Sequence, residues 1–311
     1  MQHPNNVVFA TSGVVDDTPS LAQAALLARR PEVQLTALLV CPALPEAMRE
    51  YKEAYTAGLR AQLQQRVETC AHSVGVDPRR IRLEVQVEAH PPPFERALRY
   101  AQENGCDLLV KQIEPTEEDR GFKALDLGLV RKSPCPLWLC RPSHPLKKGG
   151  KIAVAIDPES LEPEERQQSM DLLRVARLMA DAAHGTLEIL SCWDYVFEGY
   201  LKRNAWFHVP DNDLHGIVQA ARSRHSAALN NLIEESGIGG ARQVEHLRGQ
   251  PETVLPEYVS RHGVDVLVMG GPVRSGLTGW VIGNTSEDIM RGLDCSILAL
   301  KPSGRAASVA M

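Results

Sequence analysis

At 311 residues the chain is about twice the length of an ordinary domain, which predicts two domains. Its 43% hydrophobic and 23% charged residues exclude general disorder, and a net charge of −5 without a long basic block excludes a chain devoted to coating nucleic acid. The start, Met1-Gln2-His3-Pro4, has no charged-then-apolar leader, and no apolar run approaches the roughly 18 residues that cross a bilayer, so a soluble cytoplasmic protein with no membrane partner is expected.

In chain order, short apolar runs near 6–12, 34–41, 82–88, 107–112 and 136–141 read as buried parallel strands, and helical patterns fill the gaps between them. The polar, Pro- and Gly-bearing run 144–150 reads as a linker. Strands then recur near 151–157, 186–193, 242–248, 264–270 and 295–301, with long helices near 164–184 and 213–236. Gly237-Ile238-Gly239-Gly240 follows a helix and precedes a strand, so it reads as a helix end and turn rather than a dinucleotide loop.

The second half repeats the first. Pro93 to Val110 lies over Pro251 to Val268 without a gap, matching Gly105 with Gly263 and Asp107 with Asp265. Leu129 to Pro142 lies over Ile289 to Pro302, matching Arg131 with Arg291 and Cys135 with Cys295. The expected fold class is therefore α/β: two tandem Rossmann-like domains, each a five-stranded parallel sheet sandwiched by helices. The expected boundaries are 1–143 and 151–304, with the linker between them and a flexible tail at 305–311.

In open α/β sheets ligands bind beyond the carboxyl ends of the strands. After the fourth strand of the second copy, Gly270 and Gly271 open a run containing Arg274, Gly276 and Gly283 that leads to Asn284 and Thr285 at a helix start. Glycines let backbone N–H groups approach a phosphate, and a helix start adds donors and a favourable dipole. A strand end followed by an ordinary helix start explains the same residues without a ligand.

This loop resembles that of the universal stress protein family, whose pattern is Gly, two residues, Gly, nine residues, Gly, then Ser or Thr. Gly270 and Gly283 keep the outer spacing, whereas Val273 replaces the middle glycine and Asn284 the Ser/Thr, with Thr285 one place later. The phrases PPFERA, CDLLVK, LVRKSPCPLWL and VIGNTSEDIMRGLDCSILALKP extend the likeness, to the tandem members of that family, over nearly the whole chain. The resemblance implies stress-responsive binding of a small molecule, ATP or AMP with Mg²⁺, in the second domain. It places Asp157 toward the adenine and the loop residues around the phosphates. It also implies two domains that join through their final strands as an intramolecular pseudo-dimer, with a homodimer as an open alternative, and at most slow ATP hydrolysis.

In the first copy, Ser12 stands in place of the Asp, and the loop 111–125 has only Gly121 and is acidic at Glu114, Glu117, Glu118 and Asp119; it should repel phosphate. Aromatic residues Trp193, Tyr195, Phe197, Tyr200, Trp206 and Phe207 cluster after the second strand of copy two, either lining a site for a hydrophobic or acyl metabolite or packing at an interface. A protein-interaction scaffold without nucleotide is the third reading. The seven cysteines show no zinc or CxxC spacing and read as small buried hydrophobes; His215 and His225 read as solvated helix positions. No catalytic residue and no metal site are assigned.

Overall fold

Each short apolar run of the sequence becomes one strand of a single sheet. The structure, a computed structural model, describes residues 4–88, 92–116, 119–160, 162–195, 197–203, 209–271 and 284–301. The first half runs β1 (Asn6–Thr11), α1 (Thr18–Leu27), β2 (Gln34–Pro42), α2 (Lys52–Ser73), β3 (Ile81–Glu88), α3 (Pro93–Glu103), β4 (Leu108–Gln112), α4 (Ala124–Lys132) and β5 (Leu137–Cys140). The second runs β6 (Lys151–Ala155), α5 (Pro163–Ala182), β7 (Thr186–Trp193), α6 (Phe197–Arg203), α7 (Asp211–Ser236), β8 (Gln243–Arg248), α8 (Pro251–His262), β9 (Val266–Gly270), α9 (Asn284–Gly292) and β10 (Ser296–Leu300). Proline in the first turn starts α1, α3, α5 and α8, where its missing N–H costs nothing. Gly237, at φ +70°, ends α7 as expected.

The strand order is β3-β2-β1-β4-β5-β10-β9-β6-β7-β8. Within each half every pairing is parallel, as the continuous apolar strands require, because helices cover both faces. The halves join where β5 and β10 pair antiparallel, with Leu298 opposite Trp138. One apolar core, under α1, α2, α5 and α7, runs across both halves on one face; α3, α4, α8 and α9 cover its counterpart on the other. The repeated aspartates play the same part in both halves. Asp107 accepts the Asn6 N–H at 2.9 Å, and Asp265 the Lys151 N–H at 2.8 Å, each tying the fourth strand to the first.

The seam is closed by Arg141, a fully buried side chain just past β5. Its guanidinium donates to Asp119 Oδ1 at 2.9 Å, to the Gly121 carbonyl at 2.8 Å and to the Leu293 carbonyl at 3.3 Å. The first half's loop thus caps the carboxyl end of α9: the Gly121 N–H donates to Leu293 O at 2.7 Å and Arg120 Nε to Gly292 O at 2.8 Å. Gly121, at φ +74°, has no room for a side chain, since a Cβ would sit 2.7 Å from the Arg291 carbonyl. Among the described residues no helix is long and apolar enough to cross a membrane.

Candidate functional site

In each half the strand connections reverse direction between the first and fourth strands, so the ligand crevice of an open sheet falls there. In the second half Val154 pairs with Val268, and Asp157 and Gly271 each lie three residues beyond that pair, so the register brings both to the mouth of one crevice. Asp157 is exposed, and its Oδ1 accepts the Glu159 N–H at 3.1 Å, capping its own turn. Gly270 closes β9 beneath α5, where a Cβ would come within 2.8 Å of Gln168 Nε2 and 3.2 Å of Leu172, so a larger residue there would have to displace the Gln168 side chain. Gly271 is buried. Asn284 and Thr285 lie in the first turn of α9 and Thr285 is exposed; Arg274, Gly276, Gly283 and Val273 lie outside the described residues, as does the Asn284 side chain.

The first half fills the equivalent position with its own carboxylate. Helices α4 and α9 are both nine residues long, and Asp126, third in α4, matches Ser286, third in α9. Asp126 is fully buried and accepts the Glu114 N–H at 3.0 Å, while Lys111 Nζ lies 3.3 Å from Asp126 Oδ1 and 2.9 Å from Glu114 Oε1. Burial raises the Asp126 carboxyl above its usual range, against the opposing pull of Lys111. The sequence showed an acidic loop but did not single out this residue, which supports the loop from inside the helix.

Histidine 225 corrects an expectation. It is buried rather than solvated: Nε2 lies 2.8 Å from Ser191 Oγ, and its ring meets His246 edge-on at 5.8 Å. Its α7 position faces the sheet, which spacing relative to His215 could not reveal; His215 is exposed as expected. Ser191 Oγ also donates to the Ile156 carbonyl at 3.0 Å, and Glu159 Oε2 lies 3.6 Å from His225 Nδ1. The turn bearing Asp157 therefore rests on a buried Ser–His wall. Burial, then the neighbouring His225, pushes His246 below its usual range.

The aromatic segment forms the short helix α6, which the apolar pattern did not predict, with Phe197 63% and Tyr200 75% exposed; Trp206 and Phe207 lie outside the described residues. Its Glu198 pairs with Arg248, whose guanidinium lies 5.5 Å from the Trp193 ring. Among the described residues no three His, Cys, Asp or Glu side chains converge to hold a metal ion.

Comparison with known proteins agrees with this architecture. Universal stress protein E of Photorhabdus laumondii is 24% identical over 98% of this chain and 97% of its own length, and that of Escherichia coli K12 is 26% identical over 71% and 68%. A crystal structure of a functionally unknown Pseudomonas aeruginosa protein superposes with a TM-score of 0.69 at 20% identity, covering 97% of this chain and 94% of that one. An Archaeoglobus fulgidus universal stress protein superposes at 0.63 and 12% identity, covering 97% and 100%. The family model for universal stress proteins matches twice, at residues 4–141 and 150–301, so the chain belongs to the universal stress protein family as a tandem of two of its domains.

Proposed function

We propose that the second domain binds an adenine nucleotide or a related phosphorylated small molecule in a stress response, and that the first domain has given up that site. The observation that carries the reading is the exchange of buried Asp126 for Ser286 at the same helix position: beside the first domain's loop a carboxylate is held by Lys111 and the Glu114 N–H, and a neutral hydroxyl residue takes the matching position in the second. The exposed Thr285 and the amides of the α9 start suit phosphate oxygens, and the exposed Asp157 suits a base amino group. Gly271, Gly276, Gly283, Asn284 and Arg274 would complete the phosphate cradle, while Gly270 contributes through packing. Mg²⁺ would enter with the phosphates rather than on a protein cage.

The domain boundaries stay as proposed, 1–143 and 151–304 with the linker between. All seven cysteines are free thiols, which supports a reducing cytoplasmic setting. The final strands already pair within one chain, which supports a pseudo-dimer whose sheet needs no second copy; a homodimer would use another face.

Calorimetric titration with MgATP and MgAMP tests the reading. The natural protein should bind, Ser286→Asp should weaken binding at least about tenfold by placing like charges together, and Val273→Gly should strengthen it. Binding only after Val273→Gly would mean that the natural chain has abandoned nucleotide. The exposed Phe197 and Tyr200 favour, as second reading, a carrier of a hydrophobic metabolite, which native mass spectrometry would reveal as a retained lipid-like mass.

A further inference from the structure

The seam carries a cavity far from both crevices. It lies at the amino ends of the first half's strands, beside Pro4 before β1, Leu108 at the start of β4 and Pro136 just before β5, whereas the crevices open beyond the carboxyl ends. Its volume is about 140 Å³. Among the described residues its walls are almost wholly apolar: Leu27 of α1, Val175 of α5, and Trp138 and Leu298, which stand opposite each other in β5 and β10. An apolar cavity of that size takes up a molecule as large as benzene. Arg30, three residues past α1, also lines it and is exposed, so the cavity opens to solvent beside a guanidinium. Arg80 stands next to Arg30, its Nη2 donating to the Arg30 carbonyl at 2.8 Å, and neither guanidinium pairs with a carboxylate among the described residues. A ligand with an apolar body and an anionic head therefore meets apolar walls inside and positive charge at the mouth.

The repeat supplies an internal control. Asn6 pairs with Gln34 as Lys151 pairs with Thr186, and counting back from those partners sets Leu21, Ala24 and Ala28 over Leu173, Ala176 and Ala180, all fully buried. In that alignment Asp181 and Ala182 replace Arg29 and Arg30, so the second half has no cation at this corner. Gln23 takes the place of Val175 and accepts the Leu146 N–H at 3.2 Å, while the Leu146 side chain packs against the core. The linker thus closes with a leucine the corner that the first half rims with arginine.

We propose that the seam cavity binds a small apolar acid, an aryl or branched-chain carboxylate whose body lies against Trp138 and Leu298 and whose head meets Arg30. Arg80 adds a second positive charge beside it. Because the walls come from α1 and β5 on one side and α5 and β10 on the other, the bound acid touches both lobes. The cavity shares no residue with the nucleotide site proposed above. Trp138 is 4% exposed, and its indole N–H has no acceptor among the described residues, so its resonance reports directly on a molecule seated against the ring.

The test is a nitrogen–proton NMR titration of the full-length chain with benzoate, toluene and benzylamine, which carry one ring with a negative, no and a positive charge. The Trp138 indole signal, identified as the one lost in Trp138→Phe, should shift saturably with benzoate, and benzylamine should bind more weakly than either of the others. Arg30→Ala, which installs the second half's own residue, should weaken benzoate about threefold to tenfold and leave toluene unchanged. Ala182→Phe, at an exposed position on the rim, should block benzoate and toluene alike. No saturable shift with any probe, or shifts that Ala182→Phe leaves unchanged, overturns the site. Equal affinity for benzoate and benzylamine, or a benzoate affinity indifferent to Arg30→Ala, overturns the acid as its ligand.

Discussion

Single residues separate two equal-looking lobes. Asp126 is excluded from water and balanced by Lys111, whose own side chain is 17% exposed, so Lys111→Met leaves an uncompensated buried charge. Losing one partner of such a pair costs about 3–5 kcal/mol near pH 7, measurable by denaturant titration. The sign with pH follows from the raised Asp126 carboxyl: the folded chain holds that proton more tightly than the unfolded one, so stability from this group grows as pH falls through the folded value toward 3.8. Lys111→Met raises the carboxyl further, and its deficit should therefore shrink on acidification. At Gly121 the backbone is left-handed and the Arg291 carbonyl leaves no space, so Gly121→Ala should lower stability by about 1–3 kcal/mol, read as a lower melting midpoint. Neither residue's importance was legible in the sequence, because a letter gives the chemistry of a side chain and not what it meets after folding.

Elements were far more legible. Runs of strand length, broken by turn residues, located every strand to within about three residues: the inner strands because burial on both faces demands continuous apolar residues, and the edge strands β3 and β8 through apolar residues interleaved with polar ones. The seven-residue α6 escaped, since its aromatic and charged residues follow no buried stripe and two of its aromatics face solvent. Strand direction escaped as well: the apolar pattern of β5 and β10 suits parallel or antiparallel pairing equally, and only the family likeness suggested that they meet. Of the candidate site, the crevice position was legible from topology, whereas the packing role of Gly270 was not, as α5's approach is a tertiary fact. Helices α4 and α9 are tied by Arg131, whose guanidinium meets the Glu287 carboxylate at 2.6 and 2.5 Å. Arg131 is half exposed, so a double-mutant cycle with Arg131→Ala and Glu287→Ala should return a coupling of only about 0.5–1 kcal/mol.

At the scale of the molecule, both hydrophobic layers pass through the seam without a break, so the halves should unfold together. Fluorescence and circular dichroism should report one coincident transition in denaturant; two separated transitions would show that the lobes are independent. A chain cut at the linker should expose the apolar edges of β5 and β10 and associate or precipitate. Joining the lobes in one polypeptide also has a consequence for how the molecule can change. Where two identical subunits meet about a symmetry axis, any replacement is made on both sides at once and must tolerate its own image. Here each gene position is written on one side only, so Arg141 can be matched by Lys301, and an aspartate can be kept on one side while a serine holds its mirror position. Fusion has released the chain from self-complementarity, and one lobe is free to become a fixture that holds the other.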